Sequence, residues 1–469
     1  MIREELLVLV AGIAACAAAH PPSLAARSSS LTGTCTAAAD LGILPGQDNR
    51  AAFQAIPANA CVQLTAGSYE LATPNDAHMR TVWTMQPGVE LVGAGQGLTT
   101  LAFTGHTAQY DWRGIQGAPG VWLHNLTIDT TALAVDVAGE QRHAVRWDGN
   151  GSLDPIKVDH VTCKHFAGGD CFQFVGYAPV APANIDRRIW YVTIHDVDCT
   201  SHRSCIAVHS GLNNFEFYNV VGRAWDQVFD FEGSGDIFDG NIHDNTILVA
   251  DGQQSSIGAD LNALTYLHFH HNRMDLGIQI YYCWTCEFDH NVVTQTVPNN
   301  AATVSVIAGD DIWFHDEHYT RNAGMINGPV FSAVQHGSVP IRTLRCTDCV
   351  FDQNMSWTGI NLVGVQGFVL DHSTVNITGQ GPARIGMNVE NLKSGTAVIS
   401  QATDIAVSWS RFTSAVAFYA PITTGPGVGA VTVHDTTVVN STRGMICGTG
   451  TGPITYSDNL MPESSCGAP

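Results

Sequence analysis

Four side chains able to move or hold protons, His209, Glu232, Asp260 and Tyr281, fall at matching places in successive short strands, with Asp230 two residues before Glu232. The matching rests on pairs of apolar anchors, among them Val145-x-Trp147, Phe172-x-Phe174, Ile206-x-Val208, Phe229-x-Phe231, Ile257-x-Ala259, Ile278-x-Ile280, Ile385-x-Met387 and Val416-x-Phe418. Alternate residues of a strand point to opposite faces, so the residue between two anchors and the residue after them face outward. The central column then reads Arg146, Gln173, Ala207, Asp230, Gly258 and Gln279, and the following one Asp148, Val175, His209, Glu232, Asp260 and Tyr281. Later copies are blander: Ser305, Ser332, Asn361, Gly386 and Ala417 beside Ile307, Val334, Val363, Asn388 and Tyr419. On this alignment Glu232 and Asp260 stand one strand spacing apart, about 4.8 Å, and Asp230 about 7 Å from Glu232. Like charges stacked in a sheet are destabilising, and crowding keeps one carboxyl protonated while another ionises. That division of labour is what glycoside hydrolysis uses. The expected roles are Asp230 as base, Glu232 or Asp260 as general acid and His209 as modulator. Tyr281, Gln279, Gln173, Arg146 and Asp148 are the expected sugar contacts.

These strands recur because the whole chain repeats. An apolar residue followed by two polar ones occurs twelve times, as Leu123-His124-Asn125, Val158-Asp159-His160, Ile194-His195-Asp196, Phe217-Tyr218-Asn219, Ile242-His243-Asp244 and Phe269-His270-His271. The remaining copies begin at Phe288, Phe314, Cys346, Leu370, Val407 and Val433, with steps of 19 to 37 residues. One repeat of this length cannot bury its own apolar face, so successive turns must stack as a solenoid. The fold expected is all-β, a right-handed, single-stranded parallel β-helix of about twelve turns with an N-terminal helical cap. The recurring histidines His124, His195, His243, His270, His315 and His434 read as a structural ladder, and Asn245, Asn272 and Asn291 as a ladder at a turn. Asp170 and Asp226, just ahead of their strands, read as groove rim.

Toward the N-terminus, Asp48-Asn49-Arg50-Ala51-Ala52-Phe53-Gln54-Ala55-Ile56 suits a short helix. Strands ending in Ala66-Gly67-Ser68-Tyr69 and Gly93-Ala94-Gly95 follow, then Thr99-Thr100-Leu101. In this order the segment from Asp40 to Phe103 resembles the entry of the pectate-lyase-like β-helix superfamily, with Leu44-Pro45-Gly46-Gln47-Asp48-Asn49 replacing an Asp-rich turn. The resemblance implies a helix over the open end of the solenoid and activity on polysaccharides. The layout of acids is similar to the polygalacturonase-like branch, without its Asn-Thr-Asp, Gly-His-Gly and Arg-Ile-Lys motifs. No cofactor is expected for a hydrolase. The superfamily's calcium-dependent lyases stack acids on the same kind of strand, so Ca²⁺ belongs to the alternative of a lyase or uronate epimerase. A lyase base is usually Lys or Arg, and this alignment offers Arg146 three rungs away. His209 and Tyr281 are the candidates for metal-free elimination. The superfamily also holds adhesins and tailspikes, so a non-catalytic glycan binder is a third class.

A formal net charge of −21 with only three lysines, Lys157, Lys164 and Lys393, argues against nucleic acid. Residues 1–25 read as a signal peptide or lipoprotein leader, with Ile13-Ala14-Ala15-Cys16 similar to a lipobox. Residues 26–39 read as a linker and 40–469 as one β-helix domain, with no later segment apolar enough to span a bilayer. The expected location is secreted or periplasmic. The other twelve cysteines group as Cys35/Cys61, Cys163/Cys171, Cys199/Cys205, Cys283/Cys286, Cys346/Cys349 and Cys447/Cys466, a pattern of local disulfides in an oxidising compartment.

Overall fold

The computed structural model describes residues 34–459 apart from 74–79, 136–140, 178–185, 234–235, 254, 299–300, 323, 325–327, 356, 380–383, 419, 442–444 and 449–452. The expected leader with Cys16, the start of the linker, Tyr419 and Cys466 lie outside the described residues. The chain coils through three stacks of parallel strands, so it is a parallel β-helix. The first stack runs from Thr36–Ala37 and Cys61–Gln63 through Glu90–Val92, Trp122–Asp129 and Gly309–His315 to Ile454–Ser457. The second includes Val292–Gln295, His318–Arg321 and Val350–Gln353. The third begins with Thr81–Thr84 and Trp112–Gly117 and ends with Ile446–Gly448. One antiparallel pair, Leu392–Ser394 with Ala397–Ser400, stands outside the stacks. Among the described residues no helix is long and apolar enough to cross a membrane.

The recurring phrase is the corner between the first and second stacks. Its third residue is left-handed in all twelve copies, with φ from 46° at His372 to 57° at Asn125. Asn, Asp and His tolerate this conformation better than other side chains, which explains their recurrence here. Trp409, at φ 49°, fills the same corner without that advantage. A second left-handed residue recurs three positions before the phrase begins, at Tyr191, Asn214, Asp239, Tyr266, Thr285, Asp311, Thr343 and Asp404. Its residue types are too mixed to show in the sequence.

Side chains just inside the corner satisfy each other along the axis. Asn245 donates to Asn272 Oδ1 (2.8 Å), Asn272 to Asn291 Oδ1 (2.9 Å), and Asn291 to Glu317 Oε1 (2.6 Å). Burial pushes the Glu317 carboxyl up to about 8. Cys349 continues this column, where its backbone N–H donates to Ser373 Oγ at 3.0 Å. The core between the stacks is apolar, with Trp147 stacked on Phe174 at 4.8 Å and Phe217 within 6.4 Å of Phe229. Each such ring, fully buried, contributes about 1.5–3 kcal/mol.

At the N-terminal end the described helix is the five-residue Arg50–Gln54, and it buries Phe53 against Trp83 at 4.9 Å. Cys35–Cys61, Cys163–Cys171, Cys199–Cys205 and Cys283–Cys286 are disulfides. Cys346 and Cys349 are not: both are buried free thiols, a correction to the pairing expected for them. Cys346 is an inward anchor of its phrase, and the Cys349 thiol lies within hydrogen-bond reach of the Cys346 side chain as well as of the carbonyls of Phe314 and Thr347.

Candidate active site on the third stack

The third stack carries the predicted acids, but with a corrected register. Phe229 pairs with Ala259, Asp230 with Asp260 and Phe231 with Leu261, so Asp260 stands directly over Asp230 instead of over Glu232. A bulge between Ile257 and Ala259 produces the shift. It turns Gly258 into the core, where an added Cβ would meet Ile247 Cγ2 at 2.8 Å. Gly386 is likewise inward, with Phe412 at 2.5 Å from such a Cβ, so Asn388 moves into the central column on Asn361. The rung after Ile385–Glu390 is Ala420–Thr424, and Val416–Phe418 belongs to a strand of the second stack. The central column is therefore Arg146, Gln173, Ala207, Asp230, Asp260, Gln279, Ser305, Ser332, Asn361, Asn388 and Thr423.

The acids form a layered cluster. Asp230 is only 3% exposed. Its Oδ2 lies 3.2 Å from Arg203 Nη2 and accepts from Ser204 Oγ at 3.3 Å. Burial, reinforced by the Glu232 charge, pushes this carboxyl up to about 7 against the pull of Arg203. Glu232 is exposed. It accepts from Arg203 on Oε1 (2.9 Å) and lies 3.0 Å from His209 Nδ1 on Oε2, and the histidine bond holds it below the usual carboxylate range. Asp260 is half-buried, and burial pushes it up to about 6, partly opposed by Gln279, whose amide donates to both carboxylate oxygens at 3.4 Å.

Several predicted contacts sit elsewhere. Gln173 is 1% exposed and donates to Asp170 Oδ2 at 3.3 Å, so it underlies the site and is closed to a sugar. Arg146 pairs with Asp148 at 2.9 Å, as does Arg113, three rungs from Asp230. Tyr281 is partly exposed beside His336, 5.8 Å between ring centres, and burial pushes its hydroxyl up. Asp170 is fully buried and not at a rim: its Oδ2 lies 3.0 Å from His143 Nδ1. Burial pushes that carboxyl up, but the hydrogen bond and charge of His143, with Arg203, outweigh it and hold it low.

Arg203, Ser204 and His143 were not singled out from the sequence, and Asp170 was read as rim. Arg203 and Ser204 precede their strand and His143 is the second residue of its own, where alternation is not yet legible, and only their closeness to an apolar anchor could have drawn attention. The histidine ladder predicted on the first stack is present as stacked rings, with His195–Tyr218 at 4.6 Å, Tyr218–His243 at 5.0 Å and His243–His270 at 4.8 Å.

Solved structures share this fold. An N-terminal fragment of bacteriophage Phi29 gene product 12 is similar with a TM-score of 0.51 at 12% identity, covering 92% of this chain and 71% of that one. The A-module of the Azotobacter vinelandii mannuronan C-5 epimerase AlgE6 gives 0.48 at 14% identity, covering 91% and 100%. The catalytic unit of the GH87 α-1,3-glucanase from Streptomyces thermodiastaticus gives 0.38 at 13%, covering 97% and 72%. No protein-family model matches the chain, and no curated protein does. Likeness at this level speaks for the parallel β-helix alone.

Proposed function

We propose that the protein is a secreted carbohydrate-active enzyme that hydrolyses a glycosidic bond of a polysaccharide or oligosaccharide. The observation that carries this reading is a pair of solvent-reaching carboxylates driven in opposite directions, Asp260 up to about 6 and Glu232 down. Asp260 is the general acid for the leaving oxygen and Glu232 the base for the attacking water. Asp230, expected from the sequence as base, is nearly closed to solvent, so here it serves as the buried neighbour whose charge state tunes the other two. One rung and two residues separate Glu232 from Asp260, about 8 Å between Cα atoms from strand geometry. Inversion requires the two carboxyl groups themselves to stand about 6.5–9.5 Å apart, with room for a water between. The disulfides among the described residues fit an oxidising compartment.

Calcium does not fit this cluster. It takes six to eight oxygen ligands, whereas the Arg203 guanidinium lies between Asp230 and Glu232 and His209 holds the other Glu232 oxygen. One observation favours a second reading, elimination or epimerisation at a uronate. His209 turns Nδ1 to Glu232, while its Nε2 has no hydrogen-bond partner among the described residues. A carboxylate holding one ring nitrogen is the arrangement of a histidine base.

Turnover of a glycan panel separates the readings when reducing ends and the ultraviolet absorbance of unsaturated sugar are followed together, for wild type, Asp260→Asn and Glu232→Gln. Hydrolysis predicts new reducing ends without absorbance, lost in both variants. Absorbance or inverted uronate stereochemistry that depends on His209 would overturn it in favour of the second reading. Binding without turnover, unchanged in the amide variants, would make the protein a glycan-binding module.

A further inference from the structure

The ladder of the first stack changes character at one place. His268 and His270 are two residues apart on one strand and share a face, with ring centres 3.9 Å apart. On the next rung the residue paired with His270 is Asp289. The corner residues that follow, His271 and His290, are both left-handed at φ 54°, which stacks their rings in parallel at 4.8 Å and 2°. Four imidazoles thus surround one carboxylate that is itself only 7% exposed. Asp289 turns Oδ1 to His268 and Oδ2 to His290 (2.8 Å).

Two three-residue sets result, His268–His270–Asp289 and His271–Asp289–His290, each with one donor atom per residue and all donors within 4.8 Å. Other such sets exist, as at His160, His195 and Asp196, but here one carboxylate serves both. His270 Nδ1 and His271 Nδ1 share one N–H···N hydrogen bond at 2.8 Å and His270 Nε2 donates to Asn241 Oδ1 at 3.0 Å, so an ion bound through His270 replaces one of these two bonds.

We propose that His268, His270, His271, His290 and Asp289 form a binding site for a divalent first-row transition ion of the zinc and copper class. Imidazole with carboxylate selects that class over hard cations such as calcium, which take oxygen. Ligand bonds of about 2.0–2.1 Å place donors roughly 3.4 Å apart around a tetrahedral ion. Side-chain rotation of about 1 Å therefore closes either set without moving backbone, leaving a position for water. The two oxygens of Asp289 let it ligate on either side or bridge. The site lies on the first stack, apart from the third-stack acids, and stands or falls independently of the proposed hydrolysis.

The test is Zn²⁺ calorimetry on the full chain, carrying no polyhistidine tag and stripped with chelator, with electron paramagnetic resonance of the Cu²⁺ form. Wild type is expected to bind in the micromolar range or tighter and to show nitrogen hyperfine structure from imidazole. Asp289→Asn and the double variant His268→Asn/His290→Asn weaken binding by about tenfold or more. His434→Asn, at a distant corner paired with Asp435, leaves it unchanged. Circular dichroism checks that each variant is folded, and the exposed histidines keep the test valid if Asp289→Asn is not. Wild-type affinity no better than millimolar, or binding indifferent to the cluster variants, overturns the proposal.

Discussion

The early and late rungs of the third stack have the same strand geometry and opposite electrostatics. In the late rungs Thr423 Oγ1 donates to Asn388 Oδ1 (2.7 Å) and Asn388 Nδ2 to Asn361 Oδ1 (3.0 Å), a neutral ladder in which each rung satisfies the next. In the early rungs Asp230 is stacked on Asp260 with Glu232 beside them, and Arg203 is the cation holding two of the three acids. The scaffold tolerates either filling. A ladder of amides and hydroxyls is what stability alone favours at these positions, so the carboxylates mark the place where the sheet carries a charge conflict for another purpose.

The sharpest way to break that contrast is to make the early rungs resemble the late ones. Asp260→Asn and Glu232→Gln, each isosteric, are expected to lower turnover by roughly 10²–10⁴-fold, the usual contribution of a positioned acid or base. The matching change in the late rungs, Asn361→Ala, leaves turnover within about twofold of wild type, since that rung lacks carboxylates. Equal losses in both regions would remove the distinction on which the proposed site rests.

Acidity tests the same contrast less drastically. Turnover requires Asp260 protonated and Glu232 ionised, so rates fall as pH rises through about 6, where Asp260 loses its proton. The Gln279 amide stabilises the ionised carboxylate, so Gln279→Ala moves that limb to higher pH. A limb that stays put in the variant, followed by initial rates across pH 4 to 9, would release Asp260 from the role of acid.

Stability carries a complementary signature. Asp230 and Asp260 have folded pKa values of about 7 and 6, above the unfolded value near 3.9. The folded state therefore holds their protons more tightly. Their contribution is fully present below about pH 4 and is lost as pH rises through 6 to 7. Glu232, held low by His209, works in the other sense and loses its contribution as pH falls through its folded pKa. Asp230→Asn should raise stability at pH 8 relative to pH 4 by on the order of 2–4 kcal/mol, read from urea melts at both pH values.

How much of this was legible follows from which features repeat. The corner was legible because Asn, Asp and His are the side chains that accept its left-handed backbone, and twelve copies expose the preference. Disulfides between close neighbours were legible for Cys163–Cys171, Cys199–Cys205 and Cys283–Cys286, but Cys346 and Cys349 had the same spacing as Cys283 and Cys286 and remain thiols. Spacing alone does not distinguish the two pairs. The register error at Asp260 has a similar origin. Ile257-x-Ala259 and Ala259-x-Leu261 are both acceptable anchor pairs, and a shift of two residues preserves alternation. Only the bulge distinguishes them, by placing Gly258 where no side chain fits. Arg203 and Asp170 were illegible because long-range approach creates their role: neither belongs to a periodic column.

The finest test carries the charge conflict into the neutral rungs. Asn361→Asp with Asn388→Asp stacks two carboxylates where an amide ladder now stands, replacing the 3.0 Å hydrogen bond by a like-charge contact. The double variant should be less stable than the sum of the singles by about 0.2–1 kcal/mol at neutral pH, and the deficit should shrink with added salt and vanish at pH 3. No arginine is stacked beside these two in their sheet register, where the rungs on either side present Ser332 and Thr423. If the double variant is as stable as the singles, stacked carboxylates are tolerated anywhere along this sheet. The early cluster would then lose its standing as a conflict maintained for chemistry, and turnover alone would have to carry the case for Glu232 and Asp260.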